Sequence, residues 1–361
     1  MAAVPKPRLT KKVILFIAVG LATLLFYLYY FVGTVNIADV IRQINVFCYA
    51  SAFVAFVVSI FFFSLTWRSL LKVIDVEISV RRALVFTWVG MFFDSVVPDP
   101  GWSGDLAKAY MLSKASGRDV GRIAASVVGQ KVIGMAVTIV DLILGLALLV
   151  LYYTLPIGVF FFVVMVLLLS VFSLGVIWYL SSNPKATKTL LGWLMRGASF
   201  VLRDRWNSED FRLRAEDTLN KFHEGMRNLT ANPRALVRPV ALSLTAWVFD
   251  VSVIFLVFAS LRFPVPVDKV LIVYALTGTL QAMGVSFLGF TEITMSSSYT
   301  VLGIPVAISL AATLLVRVVT LWFKLILSYF AFQWIGVRLL LGQSQEPSKD
   351  LFDNSQMDNA L

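Results

Sequence analysis

The sequence predicts an all-α polytopic membrane protein, and three observations carry this prediction. Hydrophobic residues make up 59% of the 361 residues and charged residues only 14%, whereas soluble domains are about 45–50% apolar and about 25% charged. The apolar residues form continuous blocks, each longer than the roughly 20 residues of a membrane-spanning helix. Basic residues concentrate between the blocks, as membrane topology requires. The six long blocks are residues 13–33, 46–66, 123–155, 158–180, 240–261 and 306–337.

Two further hydrophobic segments are short or interrupted, which raises the number of hydrophobic segments to eight. If residues 83–97 crossed the bilayer fully, the basic residues after the following break would lie outside. We favour a re-entrant hairpin on the cytoplasmic side over this full crossing, because broken backbone is tolerated at membrane depth where protein or water covers it. We therefore expect about six full transmembrane helices plus two re-entrant helical hairpins, the second at residues 270–302 and opening to the opposite side. The structural breaks are Pro98, Gly101, Gly104 and Gly289.

Charge bias divides the chain into three regions and orients it. Residues 1–12 contain four basic residues and are predicted to be a cytoplasmic N-terminal segment. Residues 13–340 form the transmembrane domain, in which the loop 181–238 holds 11 Lys and Arg against six Asp and Glu and is therefore placed in the cytoplasm. Apolar residues at helical spacing in 211–229 predict an amphipathic helix on the inner leaflet. Residues 341–361 predict a disordered tail, so that both termini lie on the cytoplasmic side of the cell (inner) membrane.

The cysteine and histidine content and the location of the charge exclude several classes of function. Cys48 is the single cysteine and His223 the single histidine, so that no intramolecular disulfide forms and no metal-ligand cluster is indicated. The net charge of +10 comes largely from basic residues between the hydrophobic blocks, where membrane topology explains them. We therefore expect no cofactor, no metal and no nucleic-acid partner.

Charged residues inside the hydrophobic segments form the candidate binding site, since a charge at membrane depth is costly and usually functional. Lys131, Arg317 and Lys324 lie on polar faces of long helices, which favours a cavity for an anionic group over simple helix packing. Asp105 and Glu292 have two alternative roles: they hold the broken helices at their N-termini and pair with Lys131 and Arg317, or they contact the substrate. The candidate substrate-binding residues are Lys131, Arg317, Lys324, Asp105, Glu292, Asp141 and Asp250.

The two halves of the chain repeat one arrangement. A glycine-containing break is followed by an acid, Asp105 in the first half and Glu292 in the second. A base then lies inside the next long helix, at Lys131, 26 residues after its acid, and at Arg317, 25 residues after its acid. Matching breaks of opposite orientation indicate an inverted-repeat transporter with a site near the midplane of the bilayer.

The first break also carries a recognisable signature. Residues 98–108 read Pro-Asp-Pro-Gly-Trp-Ser-Gly-Asp-Leu-Ala-Lys. This resembles a loop in the transmembrane domain of lysylphosphatidylglycerol synthases and of the stand-alone flippase-like membrane proteins related to them. In that family the loop runs from proline to glycine, ends in Gly-Gly-Glu, and has a basic residue three positions further on. Here Ser103 replaces a glycine, Asp105 replaces the glutamate, and Lys108 is the basic residue.

Further positions extend the resemblance to roughly residues 11–340. The family's Glu-Arg pair in the next helix is similar to Gln130-Lys131, which keeps the positive charge and loses the acid. Its second glycine loop, with a glutamate and a distant arginine, matches Gly289, Glu292 and Arg317. The proline-glycine-glycine opening of that loop is replaced by Val-Ser-Phe at residues 285–287.

The resemblance implies that the protein moves lipids, or lipid-linked head groups, between leaflets. Its expected partners are membrane lipids, either an anionic phospholipid or a polyprenyl-phosphate-linked molecule, and a lipid-modifying enzyme is a possible further partner. The synthases attach the amino acid with a separate soluble domain, so we expect no enzyme activity and assign no catalytic residue. The alternatives are an intramembrane lipid-modifying enzyme that uses Asp94, Asp99 and Asp105, or a non-catalytic membrane partner of such an enzyme.

Overall fold

The computed structural model describes residues 41–97, 102–152, 157–202, 208–282 and 289–336. All regular structure in these residues is helical, and no strand occurs among them. The first predicted block (13–33), the breaks at Pro98 and Gly101, and the tail (341–361) lie outside the described residues. Gly104 and Gly289 lie within them.

Twelve α-helices follow one another in the described residues. They are α1 (Val46–Val73), α2 (Val80–Val96), α3 (Ser103–Ser116), α4 (Val120–Tyr152), α5 (Ile157–Ser182), α6 (Pro184–Leu202), α7 (Ser208–Ala231), α8 (Val237–Ser260), α9 (Val267–Ala282), α10 (Phe290–Val301), α11 (Val306–Arg317) and α12 (Lys324–Ala331). A 3-10 turn (Pro233–Leu236) leads into α8, and π-helical turns (Val318–Phe323 and Phe332–Gly336) follow α11 and α12.

Five helices of the described residues are long and apolar enough to cross a membrane. They coincide with five of the six predicted blocks, so the prediction of an all-α polytopic membrane protein is confirmed. The spans are Val46–Val73, Val120–Tyr152, Phe160–Ser182, Pro233–Ser260 and Val306–Trp334. The first of them, α1, continues past the predicted end at residue 66. Its last turns bury Trp67, Leu70 and Leu71 in the protein core. The length of a lipid-facing apolar block does not predict these turns, because protein packing rather than lipid covers them.

The two short helices of the first half cross at a pair of glycines. A Cβ added to Gly104, near the start of α3, would overlap the carbonyl oxygen of Gly90 on α2 and lie 2.5 Å from the Asp94 carboxyl group. Only glycine permits this approach, because any side chain would push the two backbones apart. The helix α3 begins at Ser103, within the first break, and runs to Ser116. The close α2–α3 crossing forms one wall of the molecule's interior.

The corresponding helix of the second half, α10, begins at its own glycine. Gly289 has φ of 95° and precedes the first helical residue, Phe290. The side chain of Glu292 turns back, and its Oε2 accepts a hydrogen bond from the Gly289 amide at 2.8 Å. This hydrogen bond satisfies an amide at the helix start that would otherwise lack a partner.

The amphipathic helix α7 has a protein partner for its apolar stripe. Met226 and Leu229 are buried in the cluster that includes residues of α4, and the backbones of the two helices approach at Gly121 and Gly225. Lys221 adds ion pairs of 2.8 Å to Asp119 and Asp217, and these hydrogen bonds raise its pKa to about 12. We expected this stripe to face the inner leaflet; in the structure at least part of it packs against α4.

Candidate functional site

A cavity of about 800 Å³ lies between α1–α5, α8–α10 and the last span. Its wall is rich in charge for the interior of an apolar bundle, with four bases and three acids among the described residues. The charged lining residues are Lys108, Lys131, Arg317, Lys324, Asp94, Asp105 and Asp250. Four positive and three negative charges leave the wall with a formal excess of one positive charge, which suits an anionic ligand.

The first junction, which we define as Asp94, Asp105, Lys108 and Lys131, connects α2, α3 and α4. Asp105 shares its carboxylate between two bases: Oδ1 lies 2.9 Å from Lys108 Nζ, and Oδ2 lies 3.1 Å from Lys131 Nζ. Asp94 Oδ1 accepts a hydrogen bond of 2.8 Å from the Gly104 amide, in the first turn of α3. An acid on the neighbouring helix α2 therefore caps the start of α3.

Polar and aromatic groups fix the two lysines of the first junction. Lys108 is 4% exposed and donates to Gln130 Oε1 at 2.9 Å, while Gln130 Nε2 donates to the Phe63 carbonyl at 2.8 Å. Lys131 Nζ lies 3.8 Å from the centre of the Trp102 ring, within the range of a cation–π interaction. Both ammonium groups are therefore held in place by several contacts.

The second junction, defined as Gly289, Glu292 and Arg317, connects α10 to the last span. Arg317 Nε donates to Glu292 Oε1 at 2.6 Å, and Glu292 Oε2 is occupied by the Gly289 amide. Both side chains are largely excluded from solvent, at 12% exposed for Arg317 and 4% for Glu292. One acid thus binds one base and its own helix start.

Two further charged residues face the cavity without an ion pair in the described part of the chain. Asp250 on α8 accepts a hydrogen bond of 2.7 Å from the hydroxyl of Tyr274 on α9. Lys324, at the start of α12, makes no hydrogen bond and no ion pair with any described residue. Its ammonium lies within electrostatic reach of Asp94, Asp250 and Arg317. Lys324 is therefore positioned to bind an anionic group that enters the cavity.

The structure brings together six of the seven predicted site residues. Five of these line the cavity, and Glu292 contacts it through Arg317. The seventh, Asp141, is 1% exposed and lies behind the cavity wall. Helical spacing places Ser309 and Ser328 on the same predicted polar face of the last span as Arg317 and Lys324. In the structure these two serines are buried, do not line the cavity and donate to the backbone carbonyls of Ile304 and Leu325.

Four residues that contribute to the site were not among the predicted binding residues, and one of them, Asp94, was named only for the alternative of an enzyme. Lys108 had a signal, since it lies three residues after Asp105 and hence on the same helix face. Gln130 had a weaker one, as the neighbour of Lys131 in the family signature. Tyr274 had none, because a tyrosine in an apolar helix is ordinary and only the fold brings it to Asp250.

These features define a class of protein: a polytopic helical membrane protein with a charged cavity between its two halves. The chain belongs to the family described as the lysylphosphatidylglycerol synthase TM region, whose members it matches over residues 13–328. The resemblance seen in the sequence is thereby confirmed.

The curated relatives are similar over nearly their whole length. A UPF0104 membrane protein of Methanocaldococcus jannaschii is 25% identical over 90% of this chain and 95% of its own. A UPF0104 membrane protein of Methanothermobacter thermautotrophicus is 21% identical over 84% of this chain and 90% of its own. One of Pyrococcus horikoshii is 20% identical over 87% of this chain and 94% of its own. No solved structure matches the chain significantly.

Proposed function

We propose that this protein is a flippase- or scramblase-like transporter that moves an anionic or lipid-linked head group between leaflets. The observation that carries the proposal is Lys324. It is a base on the wall of a membrane-embedded cavity, and it has no hydrogen bond or ion pair with the described residues. An ammonium at membrane depth is costly unless it is paired, so a ligand that supplies the missing anion would offset this cost.

The size and chemistry of the cavity support a phospholipid head group. A volume of about 800 Å³ lies within the roughly 300–1,000 Å³ typical of small-molecule sites. A phosphate would bind Lys324, with Arg317 within electrostatic reach of it and Lys131 elsewhere on the lining of the same cavity, since arginine and lysine are the usual phosphate-binding side chains. The acyl or polyprenyl tails would remain in the surrounding lipid.

We further propose a topology of six full spans, the five described ones and residues 13–33, with two re-entrant hairpins that open to opposite sides. Both termini and the loop 181–238 would face the cytoplasm, in the cell (inner) membrane. Exposed Ser116 tests the first hairpin in a Cys48→Ser background. A cysteine placed there should react with an impermeant maleimide only from the cytoplasmic side, and labelling from outside would mean that residues 83–97 cross fully.

Transport itself is tested with purified protein in proteoliposomes that contain fluorescent phosphatidylglycerol or a labelled polyprenyl phosphate. Wild type should move at least one probe faster than empty vesicles do. Lys324→Gln should slow it by about tenfold or more, as expected for one charge-assisted contact of about 1.5–3 kcal/mol, and Arg317→Ala should also slow it. Lys72→Gln, at the exposed end of α1, is the matched control and should behave as wild type.

The transport proposal is wrong if wild type moves no probe faster than empty vesicles. If the probe is chemically changed rather than moved, the alternative of a lipid-modifying enzyme is favoured. If movement appears only when a lipid-modifying enzyme is co-reconstituted, the partner role is favoured.

A further inference from the structure

Asp141 is a carboxyl group buried in the membrane-spanning helix α4 without a partner among the described residues. It is 1% exposed, and neither of its oxygens is hydrogen-bonded. Trp247 on α8 faces it, but the indole Nε1 also lacks a hydrogen bond. An ionised carboxylate in such a place is strongly disfavoured, whereas a protonated carboxyl is neutral and far less costly.

Asp141 belongs to a cluster that reaches the cavity. One turn along α4, Gly145 lies against the backbone of Ile272, so that α4 and α9 approach closely next to Asp141. Tyr274 on α9 lies within electrostatic reach of both Asp141 and Asp250, and its hydroxyl donates to Asp250 at 2.7 Å. The cluster therefore runs from Asp141, behind the wall, through Tyr274 to Asp250 on the cavity surface.

Few other ionisable groups act on this cluster. Within the described residues, Tyr274 is the titratable group that acts on Asp141; the contribution from α8 is the neutral Trp247. Asp250 faces Tyr274 from α9 and Lys324 from α12. Lys324 in turn faces Asp94 from α2 and Arg317 from α11. Asp94 and Asp250 thus share the ammonium of Lys324, and neither of them forms an ion pair with it.

We propose that Asp141 and Asp250, with Tyr274 between them, form a proton-binding site that couples the head group's movement to the movement of a proton. This inference rests on the transport function proposed above. Carboxyl groups inside membrane bundles are the usual carriers in proton-driven transport. Here the coupling is electrostatic: an anionic phosphate that binds Lys324 cancels the positive charge that offsets Asp250. The acid pair then binds a proton more tightly, and by linkage a bound proton favours the anion.

The stoichiometry follows from the charges. One phosphatidylglycerol carries one negative charge and one proton carries one positive charge, so that the transported pair has no net charge. At equilibrium the probe then accumulates in the leaflet that faces the alkaline side. The ratio between leaflets changes about tenfold for each pH unit of gradient.

Proteoliposomes with fluorescent phosphatidylglycerol and an imposed pH gradient of either sign test this coupling. With wild type, the probe should shift toward the alkaline side and reverse when the gradient is reversed, above the background of empty vesicles. Asp141→Asn and Asp250→Asn should lose the shift, while Asp75→Asn should keep it. Asp75 is an exposed acid at the end of α1 with φ of 60°, a conformation that asparagine tolerates.

A second measurement reads the proton without transport. Infrared spectra of the purified protein at about pH 7, where exposed acids are ionised, should contain a protonated-carboxyl band that Asp141→Asn removes. The asparagine variant should unfold at the same temperature as wild type or higher, since it resembles the neutral acid in shape.

The outcomes separate the two proposals. If wild type equilibrates the probe but neither gradient shifts it, or if a sodium gradient replaces the proton gradient, the coupling is wrong and the transport function stands. A spectrum in which Asp141→Asn removes no band also overturns the proton site. If wild type moves no probe at all, the transport function fails and the coupling with it, while the infrared band still reports whether the carboxyl is protonated.

Discussion

The two junctions perform the same structural task with different numbers of partners. Each links the start of a short helix to the next long helix, through Asp105 and Lys131 at 3.1 Å or through Glu292 and Arg317 at 2.6 Å. In the first junction the acid has two bases, since Lys108 lies 2.9 Å from Asp105, and α2 supplies the cap. In the second, one acid binds one base and caps its own helix.

This difference determines how each junction tolerates damage. Removing one base from the first junction leaves Asp105 with another, whereas removing Arg317 leaves Glu292, 4% exposed, with no described cation. The first half also carries α7 packed on α4, while the last span packs within the bundle against α2 and α8. The first half therefore has more than one contact that can hold its short helix, whereas the second half depends on the single ion pair between Glu292 and Arg317.

The largest contrast is expected between the two bases. Arg317→Ala should lower the free energy of unfolding by about 3–5 kcal/mol, because it strands a buried carboxylate. Lys131→Ala should lower it by only about 1–3 kcal/mol, because Lys108 continues to neutralise Asp105. Chemical unfolding in detergent micelles measures both.

Neutralising both partners sharpens this test. The double variant Glu292→Gln with Arg317→Gln should recover much of the stability that Arg317→Ala loses, since no uncompensated charge remains. Equal losses for Arg317→Ala and Lys131→Ala would show that the redundancy of the first junction has no energetic meaning.

The next largest contrast concerns the two glycines. Gly104→Ala should lower the free energy of unfolding by about 1–3 kcal/mol through overlap with α2, and Gly104→Asn should cost more. Gly289→Ala should cost about 1–3 kcal/mol through its φ of 95°, and Gly289→Asn should cost less, because asparagine tolerates positive φ better.

The opposite order of alanine and asparagine at the two sites is the test, read from the temperature of unfolding. Gly175→Ala in α5 is the control, since nothing lies within 4 Å of an added Cβ there, and it should be neutral or slightly stabilising. The same order at both glycines would contradict the assignment of crowding to one and of backbone conformation to the other.

The sequence predicted much of the fold because a bilayer constrains the chain strongly. Long apolar blocks must be helices, and glycine-containing breaks must be covered. The acid and base of each junction were predicted as possible partners from their matching spacing. Asp141 shows the limit: its helix face was recognised as polar, but periodicity does not reveal which face meets a cavity and which is buried behind it.

The last span shows a second limit. A polar face was predicted there from the regular period of an α-helix. In the structure a π-helical turn, Val318–Phe323, separates Arg317 from Lys324, and such turns alter the register and occur often at functional sites. Nothing in the local composition marks the turn. Only Arg317, Thr320 and Lys324 of the predicted face line the cavity.

A smaller effect is expected from the cap of α3 in the first junction. Asp94→Ala should cost about 1 kcal/mol of stability, as for other lost caps, because it removes the acceptor of the Gly104 amide. Asp94→Asn should cost less, since the amide oxygen still accepts that bond. Unfolding in detergent distinguishes them, and equal losses for asparagine and alanine would mean that the charge of Asp94, rather than its cap, stabilises the first junction.

The smallest effect concerns the packing of α7, which is specific to the first half. His223 on α7 is buried, and its Nδ1 lies 3.0 Å from the Ser181 carbonyl of α5, so that Nδ1 carries the proton and donates. Burial lowers the pKa of His223, and the charge of Lys188 lowers it further, against the hydrogen bond to Ser181. The unfolded chain therefore binds a proton more readily than the folded one.

Stability should consequently decrease as the pH falls below the unfolded value of about 6.5. His223→Asn keeps a donor near Ser181 but cannot titrate, so the unfolding temperature of this variant should depend less on pH than that of wild type. Hydrogen exchange locates the effect: acidification should speed exchange in α7, relative to the same peptides of His223→Asn, and leave α10 unchanged. Parallel pH profiles for the two proteins would show that α7 is held independently of the imidazole, by the apolar contacts of Met226 and Leu229 with the cluster around α4.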